Sequence, residues 1–151
     1  MVVDGGDWDV SNQSQVWSDG TTVGAYKDDR TIDKAFDGNT TTFAQRENVP
    51  GTTIYTFATP VPVTGTVTFK AMAENPDTEV YLTGPNGNST SVTGTGPDGI
   101  VVSGDVASEI GNAINSVTFT KGPSGASCLY EIRVAGKLLV DAVNDLSLIH
   151  I

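Results

Sequence analysis

The chain has 151 residues, and 20 Thr, 18 Val and 17 Gly against 6 Leu make it one domain's worth of pleated strands and glycine turns rather than two domains or a helical bundle. Eighteen Asp and Glu against 8 Lys and Arg leave a formal charge of −10, which argues against nucleic acid as a partner, because duplex affinity rests on neutralising phosphates with Lys and Arg. Cys128 is the single cysteine, and the single histidine is His150, next to the C-terminus. An internal disulfide, a Ser-His-Asp triad, a Cys-His pair and a multi-histidine zinc site are therefore excluded within this chain.

Residues 1–14 are rich in Asp and Gly with one Trp8 and read as a lead-in or linker. The domain proper opens at Gln15-Val16-Trp17. Strand-like runs follow at Thr53 to Phe57, at Gly65 to Met72 with Val67, Phe69 and Ala71 on one face, and at Glu79 to Thr83. Further runs are Ser89 to Thr93, Ile100 to Ser103, Asn115 to Thr120 with Val117 and Phe119 inward, Leu129 to Ala135 with Tyr130, Ile132 and Val134 on one face, and Lys137 to Val140. Gly84-Pro85-Asn86-Gly87, Gly94 to Gly99, Gly122-Pro123 and Ala135-Gly136 separate them with turn chemistry. Between the strands, Val106, Ile110 and Ile114 recur every four residues after Asp105, a helical turn at most, weakened by Gly111. The pattern predicts an all-β, two-sheet antiparallel sandwich with Trp17, Phe36, Phe57, Phe69, Val117, Phe119, Tyr130 and Ile132 in its core.

The domain spans residues 15–141, and 142–151 form a tail. Its last six residues, Leu146-Ser147-Leu148-Ile149-His150-Ile151, match one reading frame of a transposase end sequence used in DNA sequencing and read as an adapter scar set aside before fold reasoning. On that expectation the parent protein is longer and any export signal lies elsewhere. No apolar stretch approaches the ~20 residues of a membrane helix.

Several motifs reduce to surface or turn chemistry. Gly94-Thr95-Gly96-Pro97-Asp98-Gly99 fits the letters GxGxxG, but Pro97 and the strand after it deny a dinucleotide site. The acids at Asp4, Asp7 and Asp9, and at Asp28, Asp29 and Asp33, lack the spacing of an EF-hand loop. Asp37-Gly38-Asn39 differs from these: a tight turn with a side-chain acceptor at each end, followed by Thr40, Thr41 and Thr42, concentrates hard oxygens of the kind Ca²⁺ takes. Near that turn, Tyr26, Arg46 and Asn48 combine an amphipathic aromatic face with donors and an acceptor, the chemistry of sugar contact.

Ala35-Phe36-Asp37-Gly38-Asn39 with Thr42, and Leu129-Tyr130-Glu131-Ile132-Arg133-Val134-Ala135-Gly136 at the far end, resemble the opening and closing signatures of discoidin-type (F5/8 type C, galactose-binding-like) modules. The resemblance implies a jelly-roll sandwich and a structural Ca²⁺ held by Asp37, Asn39, Thr42 and Glu131. The chain departs from the pattern at Ala44, where those modules often carry Trp. Across Gln15 to Asp141 the chain is also similar to modules of phage tail-fibre and other virion proteins. That likeness implies a non-catalytic structural or binding module in a longer chain of an oligomeric parent protein, located in a virion tail or outside the cell and contacting host-surface glycan. The alternative is a carbohydrate-binding module of a secreted bacterial enzyme.

Overall fold

The computed structural model describes residues 15–97 and 99–142. Trp8, the acids at positions 4, 7 and 9, and the apolar segment 146–151 lie outside the described residues.

The strands in chain order are β1 (Thr21–Val23), β2 (Ala44–Gln45), β3 (Gly51–Pro62), β4 (Val67–Ala73), β5 (Glu79–Gly84), β6 (Gly87–Asn88), β7 (Val92–Thr93), β8 (Val101–Val102), β9 (Ala113–Lys121), β10 (Ser127–Val134) and β11 (Lys137–Leu138). A 3₁₀ turn covers Ile32–Ala35, and a single helical turn, α1, covers Ala107–Ile110. All pairings are antiparallel. One sheet runs β1-β3-β9-β5-β6 with β7 also on β5; the other runs β11-β10-β4-β8 with β2 also on β10. This is the two-sheet antiparallel sandwich expected from the alternation.

The alternation has a direct physical consequence in β4, where Val67, Phe69, Ala71 and Ala73 are buried while Thr68, Lys70 and Met72 stay partly exposed. Phe69 and Val117, Phe119 and Leu82 from the facing sheet are all buried to 1% exposure or less. At roughly 25 cal/mol per Å² of apolar surface, each such side chain contributes about 1.5–3 kcal/mol. A second knot of the core is aromatic. The Phe57 ring meets Tyr55, Phe36 and Trp17 edge-on, with centroids 5.1, 5.8 and 6.5 Å away, the arrangement that ring quadrupoles favour.

Two breaks in register shape the molecule. In β3 the pairing with β9 shifts between Thr56 and Val61, so the segment carrying Pro60, which has no N–H to give a ladder, is accommodated outside regular pairing. In β10 the register slips between Leu129 and Glu131. This corrects the expected face: Leu129 joins Ile132 and Val134 in the core cluster, whereas Tyr130, though only 7% exposed, is not part of it and packs against Phe43 instead. A strict period of two cannot survive an extra residue in the strand.

The helical turn is shorter than its apolar spacing. Asp105 Oδ1 accepts from the Ala107 N–H at 3.0 Å and starts the turn, Gly111 at φ +92° ends it, and Ile114 belongs to β9. Ala135 and Gly136, both at positive φ, close the β10–β11 hairpin as a mirror-image turn suited to the strands' twist.

Candidate functional site

The loop after the 3₁₀ turn is built by its own side chains. Gly38 takes φ +80°, a region open to glycine, and this lets Asp37 Oδ1 accept from the Asn39 N–H at 2.9 Å. Asn39 Oδ1 in turn accepts from the Thr41 N–H and hydroxyl at 3.0 and 2.7 Å. The Thr42 hydroxyl lies 2.6 Å from Asp37 Oδ2, 2.9 Å from the Asn39 carbonyl and 3.0 Å from the Lys34 carbonyl. A hydroxyl has one proton to give, so three acceptors around it form an oxygen cluster with fewer protons than lone pairs. That donor set, one carboxylate, one hydroxyl and two carbonyls, matches what a hard cation takes. Among the described residues no three His, Cys, Asp or Glu cluster, so any cation here depends mainly on uncharged oxygens.

Asp37, Asn39 and Thr42 thus come together as the sequence predicts. Glu131 is placed differently: it is 8% exposed, and its Oε2 accepts from Arg133 Nε at 2.5 Å. Its cross-strand partner is Lys70, whose Nζ donates to the Thr40 carbonyl at 3.2 Å. The loop is therefore pinned to β4 by a lysine. Sequence reasoning missed this clamp, because Lys70 reads only as the polar side of an alternating strand. It also missed the stack beside it, in which Arg30 lies 4.6 Å over the Phe43 ring, Phe43 is 4.9 Å from Tyr130 and Lys70 Nζ is 5.7 Å from the Tyr130 ring. The register slip in β10 creates that stack.

Arg46 and Asn48 lie at one end of the sandwich, where residues 46–50, 74–78 and 122–126 connect the strands. Tyr26 pairs with Arg46 through an isolated antiparallel bridge, and exposed Asn48 follows two residues later. The Tyr26 ring is half-buried, edge-on to Phe119 with centroids 6.0 Å apart, and its hydroxyl lies 3.1 Å from Thr22 Oγ1. Burial raises its pKa, with the Thr22 bond opposing, so the phenol stays neutral at physiological pH.

Arg46 is placed otherwise than a rim donor. It is 4% exposed, and Nη1 donates to Thr53 Oγ1 at 2.7 Å and lies 3.7 Å from Glu47 Oε2. Nη2 crosses the face of Gly51 where a Cβ would stand, and Gly51 sits at φ +145°. Nε is buried without a hydrogen-bond partner. The physical reason is the pairing with Tyr26, which turns the guanidinium under the rim rather than onto it.

Cys128 is fully buried between Met72 and Gln45, and burial pushes its thiol up to about 12. It is an inert core residue.

No family model and no curated protein matches the sequence. Among solved structures, the chain is similar to chitosan-binding module 1 derived from a chitosanase/glucanase of Paenibacillus sp. IK-5, with 16% identity, 80% of this chain and 96% of that chain covered, and a TM-score of 0.48. It is also similar to the CBM32-1 module of a family 31 glycoside hydrolase from Clostridium perfringens, with 14% identity, coverage of 79% and 95%, and a TM-score of 0.45. The CBM32 of AlyQ in complex with 4,5-unsaturated mannuronic acid gives 14% identity, coverage of 74% and 91%, and a TM-score of 0.43.

Proposed function

We propose that the chain is a non-catalytic module that contacts carbohydrate at the Tyr26 end of the sandwich, within a longer extracellular protein. The observation that carries this reading is the fixed aromatic at the rim. Tyr26 is held by Phe119 and Thr22 and offers a neutral amphipathic ring, and exposed Asn48, two residues past its bridge partner Arg46, supplies a donor and an acceptor on the following loop. Sugars present apolar ring faces edged with hydroxyls, and such a pair matches both. In this reading Arg46 supports the rim from below and serves contact through position rather than exposure. A formal charge of −10 favours neutral glycans over polyanionic ones.

Two parents fit the module, a secreted bacterial enzyme and a phage tail or other virion protein; the neighbouring genes distinguish them. A lone module of this kind binds at about 4 kcal/mol, near millimolar, and gains its grip from many copies at high effective concentration. The test is a multimerised form on a glycan array and on bacterial surfaces. Binding that falls several-fold with Tyr26→Ala, while the melting curve is unchanged, supports the reading. Failure to bind, or binding indifferent to Tyr26→Ala, replaces it with a spacer role.

The oxygen cluster is proposed to hold a structural Ca²⁺ on Asp37, Asn39 and Thr42, without Glu131, whose carboxylate is taken by Arg133. The ion would supply the positive charge that the crowded acceptors lack and fix the loop; no step of sugar contact depends on it. A ligand that binds only the folded state raises the melting temperature by mass action. Identical melting in chelator and in millimolar calcium rejects the ion.

A further inference from the structure

One flank of the sandwich is open. Strand β7 is an edge of the first sheet and β8 of the second, and between them runs a cleft of about 520 Å³ walled by residues 90–95 and 101–106. Glu109 closes one end, its two carboxylate oxygens accepting from the Thr90 N–H and hydroxyl at 2.9 and 2.7 Å. The cleft's floor includes Val92 and Val106, 6% and 3% exposed.

Three features of this flank point the same way. Val101 pairs with Ala71, which is fully buried, and cross-strand partners share a face. Val101 therefore faces inward, yet it is 42% exposed, and among the described residues no strand lies beyond it on that flank. Next to it, Ser103 N donates to the Phe69 carbonyl at 2.8 Å. Hydrogen-bonded pairs alternate along an antiparallel ladder, so the Lys70–Val102 pair is the non-bonded one, and the N–H and C=O of Val102 point away from β4 into the open flank. Finally, the charged side chains lining the cleft are both acids, Asp105 and Glu109, and the lining carries no aromatic ring for a sugar to stack on. The two bonds that hold Asp105, from the Val67 and Ala107 N–H groups at 3.0 Å each, both fall on Oδ1 and leave Oδ2 unused by them.

We propose that this flank docks an extended polypeptide segment of a partner protein, added as a further strand on β8, apolar at alternate positions and carrying a Lys or Arg for Asp105. The unused backbone edge supplies affinity, the valines set the alternation, and the carboxylate sets the charge. Ile100 and Val102, 46% and 61% exposed, extend the apolar surface along the same edge. The site is separate from the Tyr26 rim and does not rest on the glycan reading.

The probes are two capped six-residue peptides alternating Val and Thr, one with a central Lys and the other with Glu in its place, titrated into the full ¹⁵N-labelled chain. The expected result is amide shifts confined to residues 90–95 and 100–109, slowed hydrogen exchange at the Val102 amide, and at least five-fold tighter binding of the Lys peptide. Val102→Pro removes the outward N–H without touching a ladder bond and is expected to abolish binding with the fold intact. Asp105→Asn, which keeps the acceptor for both backbone groups, is expected to erase the preference for Lys. No shifts at millimolar peptide, shifts elsewhere, or unchanged binding by a folded Val102→Pro overturns the proposal. So does the appearance of the same shifts on raising protein concentration alone, which assigns the flank to a second copy of the chain.

Discussion

Tyr55 shows how much one hydroxyl can hold. It is 1% exposed, accepts from the Gly20 N–H at 2.7 Å and donates to the Trp17 carbonyl, so it ties the entry of the domain to β3. Tyr55→Phe leaves two backbone groups without their partner and is expected to cost about 1–3 kcal/mol in denaturant unfolding. Its pKa is raised to about 12, by burial first and with the Gly20 bond opposing. The folded protein therefore keeps a proton that the unfolded chain releases near pH 10. The stabilisation is complete below pH 10 and is lost as pH rises toward 12, at up to about 1.4 kcal/mol per pH unit. Melting followed from pH 9 to 12 is expected to show that fall in the wild type and a smaller one in Tyr55→Phe. Thr42 carries a comparable test for the oxygen cluster. Thr42→Val removes the hydroxyl shared by Asp37, Asn39 and Lys34, and a loss of about 1–2 kcal/mol is expected. The variant is also expected to lose whatever calcium-dependent rise in melting temperature the wild type shows.

The pairing of β3 with β9 is regular at both ends and broken between Thr56 and Val61. Phe57 sits at that break, 4% exposed, as the ring on which Trp17, Phe36 and Tyr55 converge. Irregular backbone is held there by side-chain packing in place of ladder bonds. Phe57→Ala is expected to cost about 3–5 kcal/mol, measured by urea unfolding, and to loosen the Trp17 segment first, seen as a shift in tryptophan emission. Phe57→Leu keeps most of the volume and is expected to lose clearly less. The register slip in β10 moves a buried ring, Tyr130, off the main cluster and onto Phe43. Tyr130 and Phe43 face each other outside it, with Arg30 and Lys70 over their rings.

A chain carrying −10 repels itself when compact. Raising salt from about 10 to 150 mM shortens the Debye length from roughly 30 to 8 Å and is expected to raise the melting temperature. If the same salt lowers it, attractive surface pairs such as Lys34–Asp33 at 3.9 Å outweigh the repulsion. The loops that carry the candidate sugar contact occupy one end of the sandwich, the oxygen cluster sits on the loop 37–42 tied to β4 by Lys70, and the open flank lies between β7 and β8.

Local order was written plainly in the residues. Alternation put Val67, Phe69, Val117 and Phe119 in the core, turn chemistry placed the hairpins, and Asp37-Gly38-Asn39 with Thr42 assembled its cluster within six residues, because the interactions involved reach only a turn or a strand's own period. What the tertiary structure alone decided was everything that depends on which strand meets which. The slip in β10 turned buried Tyr130 onto Phe43, Lys70 reached the Thr40 carbonyl from 30 residues away, and Arg46, polar and on a loop, was drawn beneath the Tyr26 rim to Thr53. Val101 belongs to an inward register and stays wet because, among the described residues, no strand follows β8 on that edge. Periodicity specifies a face, and only the arrangement of sheets determines whether anything lies against it.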